Sequence, residues 1–226
     1  MTRLRAVSFD LDGTLYDLER TRLRMLLATF PRWRTLRVGR RVREELRGQS
    51  FVDGAALLHE EARVTAERLE RDVTSTKALL RDLFDVRLVK VLARVGPRPG
   101  ARAMLQGLID DGLRIAVISD RGSVAEKLSA LGLGDLAWSA LVSADDEGLL
   151  KPAAGLFERT ALRLGVDVSE MLHVGDRDDA DGAGARAAGA PFVILGSLAL
   201  PTLDAVTRVA AQHATASLAA DTRSQR

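Results

Sequence analysis

The sequence predicts an α/β protein: a parallel sheet flanked by helices, with an all-α section inserted into it. Three observations predict this. After residue 100, short apolar runs alternate with helix-length segments, the texture of parallel strands joined by helical crossovers. An earlier apolar run, residues 4–9, fits the same sheet. Between them, residues 17–95 keep helical spacing and show no strand pattern.

Leu4, Ala6, Val7 and Phe9 form the first strand, which runs into Asp10, Leu11, Asp12, Gly13 and Thr14. From Asp17, Leu18, Leu23, Leu26, Leu27 and Phe30 recur at near-helical spacing until Pro31 stops them. Val38, Val42 and Leu46 give a narrow apolar stripe on a strongly basic second helix. Asp53 is placed to cap a third, containing Ala56, Leu57 and Ala62, and Leu69 to Leu92 continue the pattern. GPRPG, Gly96 to Gly100, breaks it. Beyond the break, helices are expected over 100–111, 123–131, 153–164, 179–188 and 201–212. Strands are expected over 114–119, 139–144, 171–176 and 191–195. The chain thus divides into a Rossmann-like core (1–16 and 97–212), an all-α insertion (17–96) and a disordered tail (213–226).

With 226 residues, 46% of them hydrophobic, the chain can bury one large core or two smaller ones. It has no cysteine, which excludes disulfides, thiolate metal sites and a Cys nucleophile. His59, His173 and His213 are scattered, and HEEAR at 59–63 lacks the second histidine of a zinc motif. No apolar run approaches the roughly 18 residues of a membrane span. The first strand begins without the apolar region of a secretory leader. The expectation is a cytoplasmic protein, monomeric or homodimeric.

Net charge is +2 but unevenly placed: residues 17–98 hold 19 Lys and Arg against 12 Asp and Glu, most of the excess lying between Arg20 and Arg47. That stretch is either a solvated face in an Arg-rich chain or a field that draws in an anionic substrate. Its single Trp33, with no interleaved aromatics, disfavours nucleic acid as a partner.

In open parallel α/β sheets, ligands bind at the carboxyl ends of the strands. Here those ends carry Asp10 and Asp12, then Ser119 and Asp120, then Lys151-Pro152, then GDRDDAD from Gly175 to Asp181. Residues two apart on an extended chain face one side, so Asp10 and Asp12 address one spot. Two such carboxylates repel unless a proton or cation lies between them; the alternative is an ordinary Asp-Gly turn. Carboxylates without Cys or His nearby favour a hard cation such as Mg²⁺. One carboxylate can act as nucleophile and a second as acid and base. A lysine and a hydroxyl would hold phosphoryl oxygens. The chain has 29 Arg and four Lys, so Lys151 suggests that a point-charge ammonium is wanted there.

DLDGT at 10–14, ISD ending in Ser119 and Asp120, KP at 151–152 and GDRDDADGAGARAAGA at 175–190 resemble the haloacid dehalogenase-like hydrolase superfamily in content, order and strand-end placement. The resemblance covers about residues 1–16 and 97–200. The insertion resembles the subfamily whose α-helical cap follows the first motif. What this implies is a Mg²⁺-dependent phosphatase that hydrolyses a small phosphorylated metabolite through an aspartyl-phosphate. By position, Asp10 would be the nucleophile, and Asp12 the general acid/base and a metal ligand through its main-chain carbonyl. Ser119 would hydrogen-bond the phosphoryl group, and Lys151 would pair with nucleophile and phosphate; Asp120, where the family often has Asn, either lines the phosphate site or faces away. Asp176 would ligate the metal with support from Asp181. The superfamily's dehalogenases lack the second acid, so Asp12 disfavours dehalogenation. The alternatives are a phosphomutase on the same core, or a non-catalytic anion- or nucleic-acid-binding protein using the basic cap.

Several neighbours stay open. Asp178 and Asp179 are alternatives to Asp181 or caps for the next helix. Arg177 departs from the Ser frequent in the family. Asp145, Asp146 and Glu147 read as a solvated loop, with Glu147 able to approach the metal's surroundings, and His173 reads as packed.

Overall fold

The computed structural model describes residues 3–195 together with Val206, Arg208 and Val209. The expected tail lies outside these residues. So does the last helix, apart from those three, which are helical.

Five strands, β1 (Ala6–Phe9), β2 (Arg114–Ser119), β3 (Trp138–Ser143), β4 (Met171–Gly175) and β5 (Phe192–Ile194), form one sheet in the order β3-β2-β1-β4-β5. Every pairing is parallel. All four residues of β1 are buried, as expected for a central strand covered on both faces. The order reverses beside β1, so the crevice between the ends of β1 and β4 is a topological switch point.

The period of two sorts the apolar residues. Val7, Phe9, Ile115, Val117, Leu172 and Val174 enter one core. Ala6, Ala116, Ile118 and Met171 enter the other. The second core is closed by α9 (Ala154–Leu164) and α10 (Ala183–Ala188) through Leu156, Phe157, Ala161 and Ala185. The first takes α6 (Ala101–Asp110) and α7 (Val124–Ala130). It also runs without a break into the insertion, through Met25, Leu36, Leu80, Leu83 and Leu92.

The insertion is helical as expected: α1 (Leu18–Thr29), α2 (Trp33–Glu45), α3 (Gly54–Leu69), α4 (Val73–Arg81), a wider π-type turn (Asp82–Arg87) and α5 (Leu88–Val95). Asp17, Asp53 and Asp72 cap α1, α3 and α4 with their side chains. A one-turn helix, α8 (Ala144–Glu147), follows β3. The stripe Leu23, Leu26, Leu27 and Phe30 faces outward, Leu27 being 74% and Phe30 76% exposed. The buried side of α1 is Thr21, Met25 and Thr29. Both threonines return their hydroxyls to the carbonyl four residues earlier, at 2.7 Å, so a polar residue enters the core without an unmet donor.

Candidate active site

Parallel register brings the ends of β1 and β4 together: Asp10 donates its N–H to the Val174 carbonyl at 2.8 Å. The Asp10 side chain is buried. Its Oδ1 accepts from Lys151 Nζ at 2.5 Å, and its Oδ2 from Thr14 Oγ1 at 3.2 Å. The same ammonium donates to Asp181 Oδ1 at 2.6 Å. Asp12 makes a separate bond, its Oδ1 accepting from the Tyr16 hydroxyl at 2.5 Å. Asp10, Asp12, Asp120, Lys151, Asp176 and Asp181 all line one cavity of about 500 Å³. Its opposite wall comes from the insertion, including Arg40, Arg43, Glu44 and Arg47 of the α2 region.

The acids are tuned apart. Burial pushes Asp10 well above the usual carboxylate range; Lys151 opposes this, while Asp181, Asp176 and Asp12 add to it. Asp176 is also raised, by burial and then by Asp181. Burial acts upward on Asp181 too, but Lys151 and then His173 hold it far below its usual value. For Asp12, burial is outweighed by Lys127 and the Tyr16 hydrogen bond, which keep it low.

Asp181 is the most firmly held of the set. The Arg177 N–H reaches its Oδ2 at 3.1 Å. His173 Nε2 lies 3.3 Å from its Oδ1, and Nδ1 lies 2.9 Å from Ser8 Oγ. Burial pushes His173 below its ordinary value. The neutral ring therefore donates from Nε2 and accepts the Ser8 hydroxyl at Nδ1. His173 is packed, edge-on to Phe157 with centroids 4.8 Å apart, and it also orients Asp181. Of the alternatives, Asp178 makes an exposed pair with Arg186 and Asp179 with Arg177, whereas Asp181 is the one grouped with Asp10 and Asp176. Two glycines permit the close approach. A Cβ at Gly13, which sits at φ +102, would overlap the Asp176 carboxylate, and one at Gly175 would overlap Asp181.

Asp10, Asp176 and Asp181 each offer an oxygen, and the three lie within 4.8 Å of one another. Lys151 neutralises part of this charge, yet Asp176 has no ion pair among the described residues. An all-carboxylate donor set with a residual negative charge fits a hard divalent cation.

Ser119 and Asp120 differ from the rest. Ser119 is fully buried, accepts the Arg121 N–H at 3.1 Å and is not among the residues lining the cavity. Asp120 does line it, but its bonds are not those of a phosphate ligand. Its Oδ1 accepts the Lys151 N–H at 3.0 Å, and its Oδ2 pairs with Arg47 at 2.6 Å. A carboxylate with both oxygens so engaged repels a phosphate; it fixes the lysine and the insertion instead.

The segment Asp145–Glu147 is not a solvated loop. Asp145 accepts from Arg43 and, at 2.7 Å, from the Gly122 N–H. Arg43 and Arg121 also meet at Glu61, at 2.8 and 2.7 Å, and Arg121 stacks 4.0 Å over Phe84. Glu147 pairs with Arg159 and Arg163, away from the acid cluster. This four-charge network joins α2 and α3 to the loops beyond β2 and β3. Arg177 adds a bidentate bond to Glu44 at 2.6 and 3.1 Å. The basic stretch therefore splits: Arg43 and Arg47 turn inward, whereas Arg20, Arg24, Arg34 and Arg37 are exposed.

Acid should loosen this junction. Burial would raise Asp145, but Arg43, then Arg121, hold it below its ordinary 3.8. A depressed acid contributes stability that is complete above the unfolded value and lost as pH falls through the folded one. Asp145→Asn is expected to cost about 3 kcal/mol at neutral pH and to flatten the acid limb below pH 3.8, as read by denaturant melts across pH. An unchanged acid limb would remove Asp145 from that role.

A lysine-bridged cluster of aspartates thus sits at the switch point of a parallel α/β sheet, the place where such sheets bind ligands. The chain belongs to the haloacid dehalogenase-like hydrolases, whose family model matches residues 4–189. It is similar to a phosphoglycolate phosphatase of Yersinia pseudotuberculosis, 31% identical over 193 residues, spanning 84% of this chain and 80% of that one. Among solved structures it resembles the magnesium-bound HAD-hydrolase YfnB of Bacillus subtilis (TM-score 0.62, 16% identity, 86% and 89% covered). It also resembles an L-2-haloacid dehalogenase of Xanthobacter autotrophicus (TM-score 0.61, 20% identity, 88% and 80% covered). Among the described residues no helix is long and apolar enough to cross a membrane.

Proposed function

We propose that the protein is a Mg²⁺-dependent phosphatase of small phosphorylated metabolites, with the helical insertion acting as a cap. The observation that carries this reading is the single ammonium of Lys151 held between Asp10 and Asp181, with Asp176 beside them. The similarity to a phosphoglycolate phosphatase supports it, and the presence of Asp12 favours it over dehalogenation.

Asp10, Asp176 and Asp181, with the Asp12 carbonyl, would hold Mg²⁺, which when bound supplies charge to a phosphoryl group. Asp10 attacks phosphorus, the ester P–O bond breaks, and Asp12 gives its proton to the leaving oxygen. Water then attacks the aspartyl-phosphate and yields its proton to Asp12; phosphate departs and Asp10 is restored. Lys151 offsets charge on Asp10 and on the phosphoryl oxygens. Ser119, buried behind the cavity lining, holds the loop after β2 in place through the Arg121 N–H. Asp12 sits low in the free protein, as suits a base. An arriving phosphate dianion raises it, as any nearby negative charge does, and so equips it as the acid of the first step. Cap closure excludes water from that step.

The test is release of phosphate from an aryl phosphate, with Mg²⁺ and with chelator. Release that needs Mg²⁺ is expected; equal release under chelation would overturn the metal assignment. Tyr16→Phe removes a donor to Asp12 and so raises that carboxyl. It is expected to slow turnover on the order of tenfold and to move the acid limb of phosphoenzyme decay to higher pH. An unmoved limb would separate Tyr16 from Asp12's titration.

A further inference from the structure

Seven cationic side chains line the cavity, and their pairing is uneven. Lys151, Arg43, Arg47, Arg121 and Arg177 are paired as described above, and Arg22 pairs with Glu19 at 2.5 Å. Arg40 has neither an ion pair nor a hydrogen bond among the described residues. It lies on α2, partly buried. Burial lowers its pKa from the usual value, although a guanidinium remains charged throughout the physiological range. A cation that has lost part of its hydration and gained no partner is costly to the empty protein. The cost is relieved when an anion arrives.

Its position says which anion. Arg40 lies close enough to Asp12 and Tyr16 for each to act on its charge, whereas Lys151 is bonded to Asp10 and Asp181. Asp12 is the group that protonates the leaving oxygen, so the space beside it belongs to the leaving group. Leu18, Phe84 and Leu88 of the same lining are apolar and offer no hydrogen bond of their own. Among the described cations that line the cavity, this guanidinium is the one without a partner to hold it back from whatever hangs from that oxygen.

We infer that Arg40 binds a second anionic oxygen group, carboxylate or phosphate, on the leaving portion of the substrate, so that the enzyme selects small phosphomonoesters bearing a further negative charge. The inference rests on the phosphatase reading for the direction of the leaving group. Its chemistry is the fork of a guanidinium on two oxygens, which a site built to satisfy it discriminates strongly from a neutral analogue.

Wild type, Arg40→Gln and Arg40→Lys are compared on phosphoglycolate, a bisphosphate of similar length and ethyl phosphate. The same proteins are titrated calorimetrically with phosphonoacetate and ethylphosphonate, whose P–C bonds they cannot hydrolyse as esters. Wild type is expected to prefer the doubly anionic compounds in kcat/KM and in binding. Arg40→Gln should reduce that preference by about 10- to 100-fold, chiefly through KM, and Arg40→Lys should restore part of it. The carboxylate and bisphosphate arms identify which anion is taken. Equal loss on charged and neutral compounds would place Arg40 at the transferring phosphate and overturn the inference. A wild type without preference would also overturn it. If no ester is hydrolysed, yet the binding preference is present and is lost in Arg40→Gln, the anion site stands and the phosphatase reading alone fails.

Discussion

Asp10→Asn is expected to cut phosphate release by on the order of four orders of magnitude while leaving the fold intact. The substitution keeps shape and removes the attacking charge. An amide oxygen still accepts from Lys151, and the amide nitrogen can donate to Thr14 where Oδ2 now accepts. The fold has little to lose, because burial, with Asp181, Asp176 and Asp12 nearby, already makes ionised Asp10 unfavourable. Removing one charge from a crowded set relieves repulsion as it removes an ion pair. The denaturation midpoint should therefore stay near the wild-type value while turnover collapses. Normal turnover with a normal midpoint would sink the nucleophile assignment.

The outline of this site was readable because its parts sit where strands end. Asp10, Asp12, Asp176, Asp181 and Lys151 each follow a short apolar run, and parallel topology carries all such ends to one edge. What stayed hidden depends on partners that no local period connects. Arg43 meets Glu61, 18 residues away, and Asp145, 102 away. Arg177 meets Glu44 across 133 residues. Asp120 shows the same limit: a strand-end acid was legible, but Arg47 and the Lys151 N–H as its partners were not. Tyr16 did carry a local signal. It stands four residues after Asp12, as Thr14 stands four after Asp10, and both hydroxyls return to those acids. The helical stripe on α1 was also real, but periodicity identifies an apolar face without saying which face docks. There, Thr21, Met25 and Thr29 took the inner side.

Lys151→Ala separates catalysis from stability in the opposite sense to Asp10→Asn. The ammonium is buried between two carboxylates at 2.5 and 2.6 Å, so its loss leaves both without their cation. Truncating one member of a buried ionic cluster costs about 3–5 kcal/mol, and the fall in the denaturation midpoint should reflect that. Lys151 is the main charge holding Asp10 down against burial; without it the nucleophile rises further and is less ionised at neutral pH. With the lost support for phosphoryl oxygens, a rate loss of about 10²–10³-fold is expected. Arginine should not restore it, because a planar fork cannot replace a compact ammonium in so closed a space. One further effect distinguishes a metal site from a merely structural salt bridge. Removing a positive charge from among Asp10, Asp176 and Asp181 makes that cluster more negative, so Mg²⁺ should raise the melting temperature of Lys151→Ala more than that of the wild type. A variant that loses stability but gains nothing extra from Mg²⁺ would count against these three aspartates as the cation's ligands.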